Sequence, residues 1–397
     1  MAGKARKAIT IVGVTFLGLA ALLEVGLRVS GDREKALDEN LQRLHRRWVL
    51  LMEGDLFQPL ADPVRRYSLR PGVELTVDDW TFRVNSHRGR GEELASEKPP
   101  GEKRMLAIGD SFCFGLWSDE DETLVGHLVR MANEADPDGD PWKAINLGVP
   151  GYHTGQQLRA LEQDGLPLDP DVVVLYFNTN DIVSEGFFYD DDLKVLHSDH
   201  SPLPQGLRRA LWHSHLYGWV VRRLERRHHA RGSPHLDPKT PWSHVREDNQ
   251  QATRDSLARI AELCAERGIP LFMVHQPLMT WANDTWQSDW PILPLVDWVE
   301  GVRGELEIPG INLLGWVRSN TDGVDRGPAQ PSPEHYFLLE RYFADENVQK
   351  AVADFENGTN SGFEMPPEPD FHLTGEGYGH MARIVFPAMV DQGVLGE

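Results

Sequence analysis

Hydrophobic and polar positions divide the chain into two regimes. From about residue 104 onward, short, mainly apolar runs alternate with stretches where apolar residues recur every three or four positions. The runs 104–109, 143–147, 171–177, 271–274 and 311–314 have the length and composition of buried strands. The stretches 122–135, 154–163, 249–267, 295–306 and 374–392 have the spacing of helices with one apolar face. This alternation predicts a short parallel sheet with helices on both sides, an α/β fold of three α/β/α layers. Val172 to Tyr176 is apolar throughout, as a central strand buried on both faces requires.

Before residue 104 the pattern differs. Lys4, Arg6 and Lys7 precede an apolar run from Ala8 to Val29, interrupted only by Glu24 and Arg28. As a helix that run spans roughly 33 Å, against a hydrocarbon core of ~30 Å. It predicts a transmembrane signal anchor over residues 1–31, crossing the membrane through residues 8–29. The positive residues hold the near end in the cytoplasm, which places the rest on the periplasmic or extracellular side. The alternative is a cleaved signal, since Gly18-Leu19-Ala20 offers small residues at cleavage spacing, and then the protein is secreted. Residues 32–100 read as a stem and N-terminal extension, with helical spacing over 37–52 and apolar alternation over 73–77. Residues 98–103 are a linker by composition. The main domain, 101–397, is interrupted by two long insertions, 182–244 and 321–367, of the size of lids or binding loops.

Charge narrows the function classes. The 397 residues carry 40 Lys+Arg against 61 Asp+Glu, a formal net charge of −21. Such a surface repels a phosphate backbone, so a general nucleic-acid partner is excluded. The two cysteines, Cys113 and Cys264, make neither a disulfide framework nor a zinc pattern and read as small buried apolar residues. Asp136-Pro-Asp138-Gly-Asp140 hints at calcium, but Pro141 and Leu147 stand where an EF-hand loop needs Gly and Glu. It reads as an acidic surface turn.

Candidate chemistry gathers where strands end. Gly109-Asp110-Ser111 follows the first strand and puts a serine at a strand-to-helix turn, beside backbone N–H groups that no helical carbonyl accepts. Asp110 reads as the cap of that turn. Asn146-Leu-Gly-Val-Pro-Gly151 follows the second strand, where glycine lets a backbone N–H approach a site. Asn178-Thr-Asn180-Asp181 follows the third and offers side-chain amide donors. Asp370-Phe-His372 precedes the last helix. All four lie at the sheet edge where open α/β sheets hold ligands.

In these blocks the chain resembles the SGNH (GDSL-type) hydrolase family, over roughly residues 101–181 and 365–395. Arg83-Val-Asn85, Arg90-Gly91 and the Pro-Pro-Gly linker resemble the region before the first block in membrane-anchored bacterial members. The resemblance implies Ser111 as nucleophile and His372 as general base. It also implies an oxyanion hole from the Ser111 and Gly151 N–H groups with Asn180. The family's third block carries Gly two residues before its Asn, where this chain has Asn178. There the Asn178 side chain narrows the site or adds a donor. The family's last block has Asp three residues before His, where this chain has Pro369; Asp370 is the nearest carboxylate and Glu368 the next. No cofactor and no metal are implied.

The expected function is hydrolysis of a carboxylic ester, an O-acetyl ester among the candidates, on an envelope or extracellular glycan or lipid. Two other classes use the same residues. One is an O-acyltransferase acting on an exported polysaccharide; the other is a catalytically silent carbohydrate-binding relative. Two further features bear on partners. Residues 207–231 hold seven arginines against Glu225 with apolar residues at near-helical spacing. They read either as a lid helix on the core or as an amphipathic helix on an anionic membrane. Trp281, Trp286 and Trp290 read as core residues or as a sugar-stacking platform.

Overall fold

The computed structural model describes residues 2–32, 46–182, 187–190, 195–198, 213–230, 247–277, 293–314 and 372–396, with single positions 35, 203, 207, 210 and 211 besides. The insertion expected at 321–367, Glu368 to Asp370, and Trp281, Trp286 and Trp290 lie outside the described residues; the insertion at 182–244 is described in part.

Helix α1 (Ala2–Val29) contains an 18-residue span, Val12–Val29, of mean hydropathy 1.8 with none of it buried, long and apolar enough to cross a membrane. Helix α2 (Arg46–Glu53) follows, then two antiparallel pairs: β1 (Phe57–Pro59) with β2 (Tyr67–Leu69), and β3 (Glu74–Val77) with β4 (Trp80–Arg83). The extension does not hang free. Leu51, Phe57, Tyr67, Trp80 and Phe82 form one apolar cluster with Phe114, Trp117, Val149 and Tyr152 of the main domain.

The main domain follows the predicted alternation. Its strands are β5 (Lys103–Gly109), β6 (Trp142–Asn146), β7 (Val172–Asn178), β10 (Leu271–Gln276) and β11 (Gly310–Asn312). They form one parallel sheet in the order β11-β10-β7-β5-β6. The helices are α3 (Ser111–Phe114), α4 (Leu124–Ala135), α5 (Thr154–Ala160), α6 (His215–Ala230), α7 (Glu247–Glu266), α8 (Leu293–Glu305) and α9 (Gly375–Asp391). A hairpin of β8 (Phe187–Asp190) and β9 (Val195–Ser198) stands in the first insertion. Residues of α4 and α9 pack on one sheet face, with Met105, Val174 and Phe272. Residues of α7 and α8 pack on the other, with Leu106, Leu175 and Met273. These are the three layers. From β5 the chain steps to β6 on one side and to β7 on the other, and this reversal opens a crevice at the strands' carboxyl ends.

Two of the boundaries that differ from the sequence expectation have a local cause. The helix expected over 154–163 narrows to α5, followed by a wide π turn (Leu161–Gly165) and a 3-10 turn (Leu166–Leu168). Pro167 supplies no N–H to continue an α-helical ladder. The helix expected from 122 starts at Leu124, because Thr123 caps it by accepting the Gly126 N–H at 3.2 Å.

Candidate active site

At the end of β5 the chain turns at Asp110 into the single turn α3. The Asp110 carboxylate accepts the Phe112 N–H at 2.9 Å, so the expected cap is present. Space makes Gly109 necessary: a Cβ there would lie 2.4 Å from Cys113 Cβ and 2.6 Å from Tyr176 O. The turn thus presses against β7, and Ser111 stays 7% exposed at the sheet edge.

His372 meets Ser111 across 261 positions of sequence, with Nε2 at 2.8 Å from Oγ. Its ring stacks on Phe112, centroids 4.5 Å apart. The residues beyond it are fixed. Leu373 is fully buried, and Thr374 caps α9 by accepting the Gly377 N–H at 3.1 Å. Gly375 O lies 3.0 Å from His127 Nε2, which ties the loop to α4. Tyr378 OH donates to Phe112 O at 2.8 Å, tying α9 to the serine turn.

Asn180 also reaches this turn. Its Nδ2 donates to Asp110 Oδ2 at 2.9 Å, and the amide nitrogen keeps a second N–H. Asp110 therefore does more than cap. The neighbouring Asp181 is buried as well and accepts the Asn178 N–H at 2.9 Å. Burial, with the charge of Asp110 behind it, pushes the Asp181 carboxyl well above the usual range. Burial raises Asp110 too, opposed by the N–H bonds from Asn180 and Phe112. Neighbouring buried carboxyls do not both ionise. Burial pushes Asp181 up the further of the two. Asn178 is turned inward, fully buried, and its Oδ1 accepts the Thr179 N–H at 2.9 Å.

The loop after β6 is held against α3. A Cβ on Gly148 would lie 2.2 Å from Phe114 N. Asn146 is buried there; its Nδ2 donates to Cys113 O at 2.9 Å and its Oδ1 accepts the Gly148 N–H at 3.0 Å. Gly151 sits farther along with φ +80°, a conformation other residues resist. Cys113 is buried and its thiol is pushed well up by burial, so it is a packing residue. Cys264 is buried too.

The extension supplies braces that the motifs do not reveal. Tyr67 OH donates to Pro150 O at 2.7 Å, beside Gly151. Arg65 Nε donates to Tyr152 OH at 3.2 Å, and its guanidinium pairs with Asp164 at 2.6 Å. Arg90, 3% exposed, lies against the stacked rings of Phe82 and Phe114 and donates to the carbonyls of Phe114, Gly115 and Ser118. Burial lowers its pKa to about 10, so it stays charged at neutral pH. The one local signal was the Arg90-Gly91 pair. Among the described residues no group of His, Cys, Asp and Glu is placed to hold a metal.

A parallel α/β sheet with a serine after its first strand and an imidazole on that serine is the arrangement of an ester hydrolase. The comparisons agree. Residues 107–293 match the GDSL-like Lipase/Acylhydrolase family, and that part of the chain is a GDSL-type (SGNH) hydrolase domain. The match takes in Ser111, Gly151 and Asn180; His372 lies beyond it. No curated protein matches the chain. Among solved structures, the lipase/acylhydrolase from Enterococcus faecalis overlaps at TM-score 0.37 and 15% identity, covering 73% of this chain and 96% of that one. An acetyl xylan esterase, AlAXEase, overlaps at TM-score 0.36 and 13% identity, covering 73% of this chain and 99% of that one. The family rests on the sequence match, not on these distant overlaps.

Proposed function

We propose that the chain hydrolyses a carboxylic ester through an acyl-enzyme intermediate on Ser111. His372 takes the Ser111 proton as Oγ attacks the carbonyl, then returns it to the leaving alkoxide. The N–H groups of Ser111 and Gly151 and the Asn180 amide hold the oxyanion, and a water activated by His372 then releases the acid. The 2.8 Å contact between His372 Nε2 and Ser111 Oγ carries this reading. Asp370 is the carboxylate proposed to orient His372.

The substrate proposed is an acyl ester, O-acetyl first among those to test, on an envelope or extracellular glycan or lipid. The apolar α1 supports a domain tethered to the membrane, and Lys4, Arg6 and Lys7 before it are the ground for proposing that the domain works outside the cytoplasm.

The test is turnover of a p-nitrophenyl ester and labelling by a fluorophosphonate. Wild type turns over and is labelled, and Ser111→Ala loses both. Unchanged turnover in Ser111→Ala overturns the assignment. With an acetylated saccharide, free acetate marks hydrolysis, and acetate passed to a second saccharide marks a transferase.

A further inference from the structure

Glu24 is the only acidic residue in the apolar run 8–29, and the reaction does not use it. Its carboxylate is fully engaged. It accepts from Ser214 Oγ at 2.7 Å, His215 N at 3.1 Å, Leu216 N at 2.8 Å and Arg28 Nε at 2.8 Å. Arg28 Nη2 in turn donates to His213 O at 3.0 Å. Glu24 thus caps the N-terminus of α6 from a different helix. A carboxylate beside hydrocarbon is tolerated when it is paired and hydrogen-bonded in this way. Between Glu24 and Val29 the helix rises only about 7.5 Å. When α1 spans a bilayer, α6 therefore begins near the boundary between acyl chains and headgroups.

The faces of α6 differ. Tyr217 and Val221 are buried, while Trp219 is 37% and Val220 40% exposed. At 3.6 residues per turn, positions 222, 223, 226 and 227, all arginine in the sequence, fall on the helix side of Trp219, opposite Tyr217 and Val221. The Arg223 guanidinium stands 5.1 Å over the Trp219 ring. The helical pitch gathers four arginine positions on the side of an exposed indole, a cationic stretch in a chain of net charge −21. It starts where the membrane-crossing helix ends. That charge and that position suit one partner, the anionic surface of the bilayer that α1 crosses.

We propose that α6 lies on this surface, with Trp219 and Val220 in the headgroup boundary and the four arginines on lipid phosphates. The proposal rests on reading α1 as a retained transmembrane helix. The test is hydrogen exchange of the full chain in nanodiscs of zwitterionic lipid alone or with about 30% anionic lipid. The expected result is α6 amides exchanging at least roughly tenfold slower in anionic discs, and that protection vanishing at about 1 M salt, where the screening length is about 3 Å. Replacing all four arginines by Gln abolishes the difference, with fluorophosphonate labelling of Ser111 retained as the check on folding. Equal α6 exchange in both lipids, with α1 protected in each, overturns the lipid contact alone. Unprotected α1 in every disc overturns the anchor beneath it.

Discussion

Asp110→Asn separates the two tasks of the residue that precedes the serine. One carboxylate oxygen accepts the Phe112 N–H at 2.9 Å, the other the Asn180 Nδ2–H at 2.9 Å. Asparagine keeps the volume and the first bond. Its NH2 then faces Asn180 Nδ2, donor against donor, and Asn180 flips its amide in response. The flip turns the N–H away from the oxyanion position proposed above. One such donor is worth ~3 kcal/mol in the transition state, so kcat falls by about a hundredfold while KM stays nearly constant. Stability changes less, by about 1 kcal/mol, or roughly 2–4 °C in Tm. The assay is kcat on a p-nitrophenyl ester for wild type, Asp110→Asn, Asn180→Ala and the double variant. Because Asp110 acts through Asn180, the double variant is expected to be no slower than Asn180→Ala. Additive losses, about ten-thousandfold together, refute the reasoning, as does an Asp110→Asn rate within about twofold of wild type.

Two further outcomes follow from buried groups. His153 caps α5 by accepting the Gly155 N–H at 3.2 Å, and burial lowers its pKa to about 4. The unfolded chain, with an imidazole pKa near ~6.5, binds that proton first as pH falls. The stabilisation is therefore complete above about pH 6.5 and is lost on descending to about pH 4, by up to about 3 kcal/mol. His153→Asn keeps a cap acceptor without titrating, so Tm measured between those pH values falls less steeply than in wild type; parallel curves count against it. Arg90→Met leaves three carbonyls without their charged donor and is expected to cost at least about 3 kcal/mol, or roughly 10 °C in Tm, with loss of fluorophosphonate labelling near the melt. An unchanged Tm shows the brace to be dispensable.

The strands were legible because burial on both faces writes itself as an unbroken apolar run, as Val172 to Phe177 shows. Ser111, Asn180 and His372 were legible as motifs, since each follows or precedes an element with its own signal. Arg65 and Tyr67 were not. They act by bonds from a side chain to a distant backbone, phenol or carboxylate group, and such contacts leave no periodicity. Glu24 showed in the sequence only as a break in the apolar run. Its partners lie some 190 positions away, so nothing local announces a cap. Asp110 was legible as a cap, but its bond to Asn180 depends on β5 and β7 lying side by side.

The packing of residues 51–84 under the serine turn bears on how such enzymes recombine. The Pro-Pro-Gly linker before β5 looks like the natural seam at which to exchange a catalytic domain. Cutting there would strip Arg90 from the carbonyls of Phe114, Gly115 and Ser118 and bare Phe114, Trp117, Val149 and Tyr152 to water. A transplanted domain that keeps its chemistry must carry its own pedestal, so the unit of inheritance begins before Leu51.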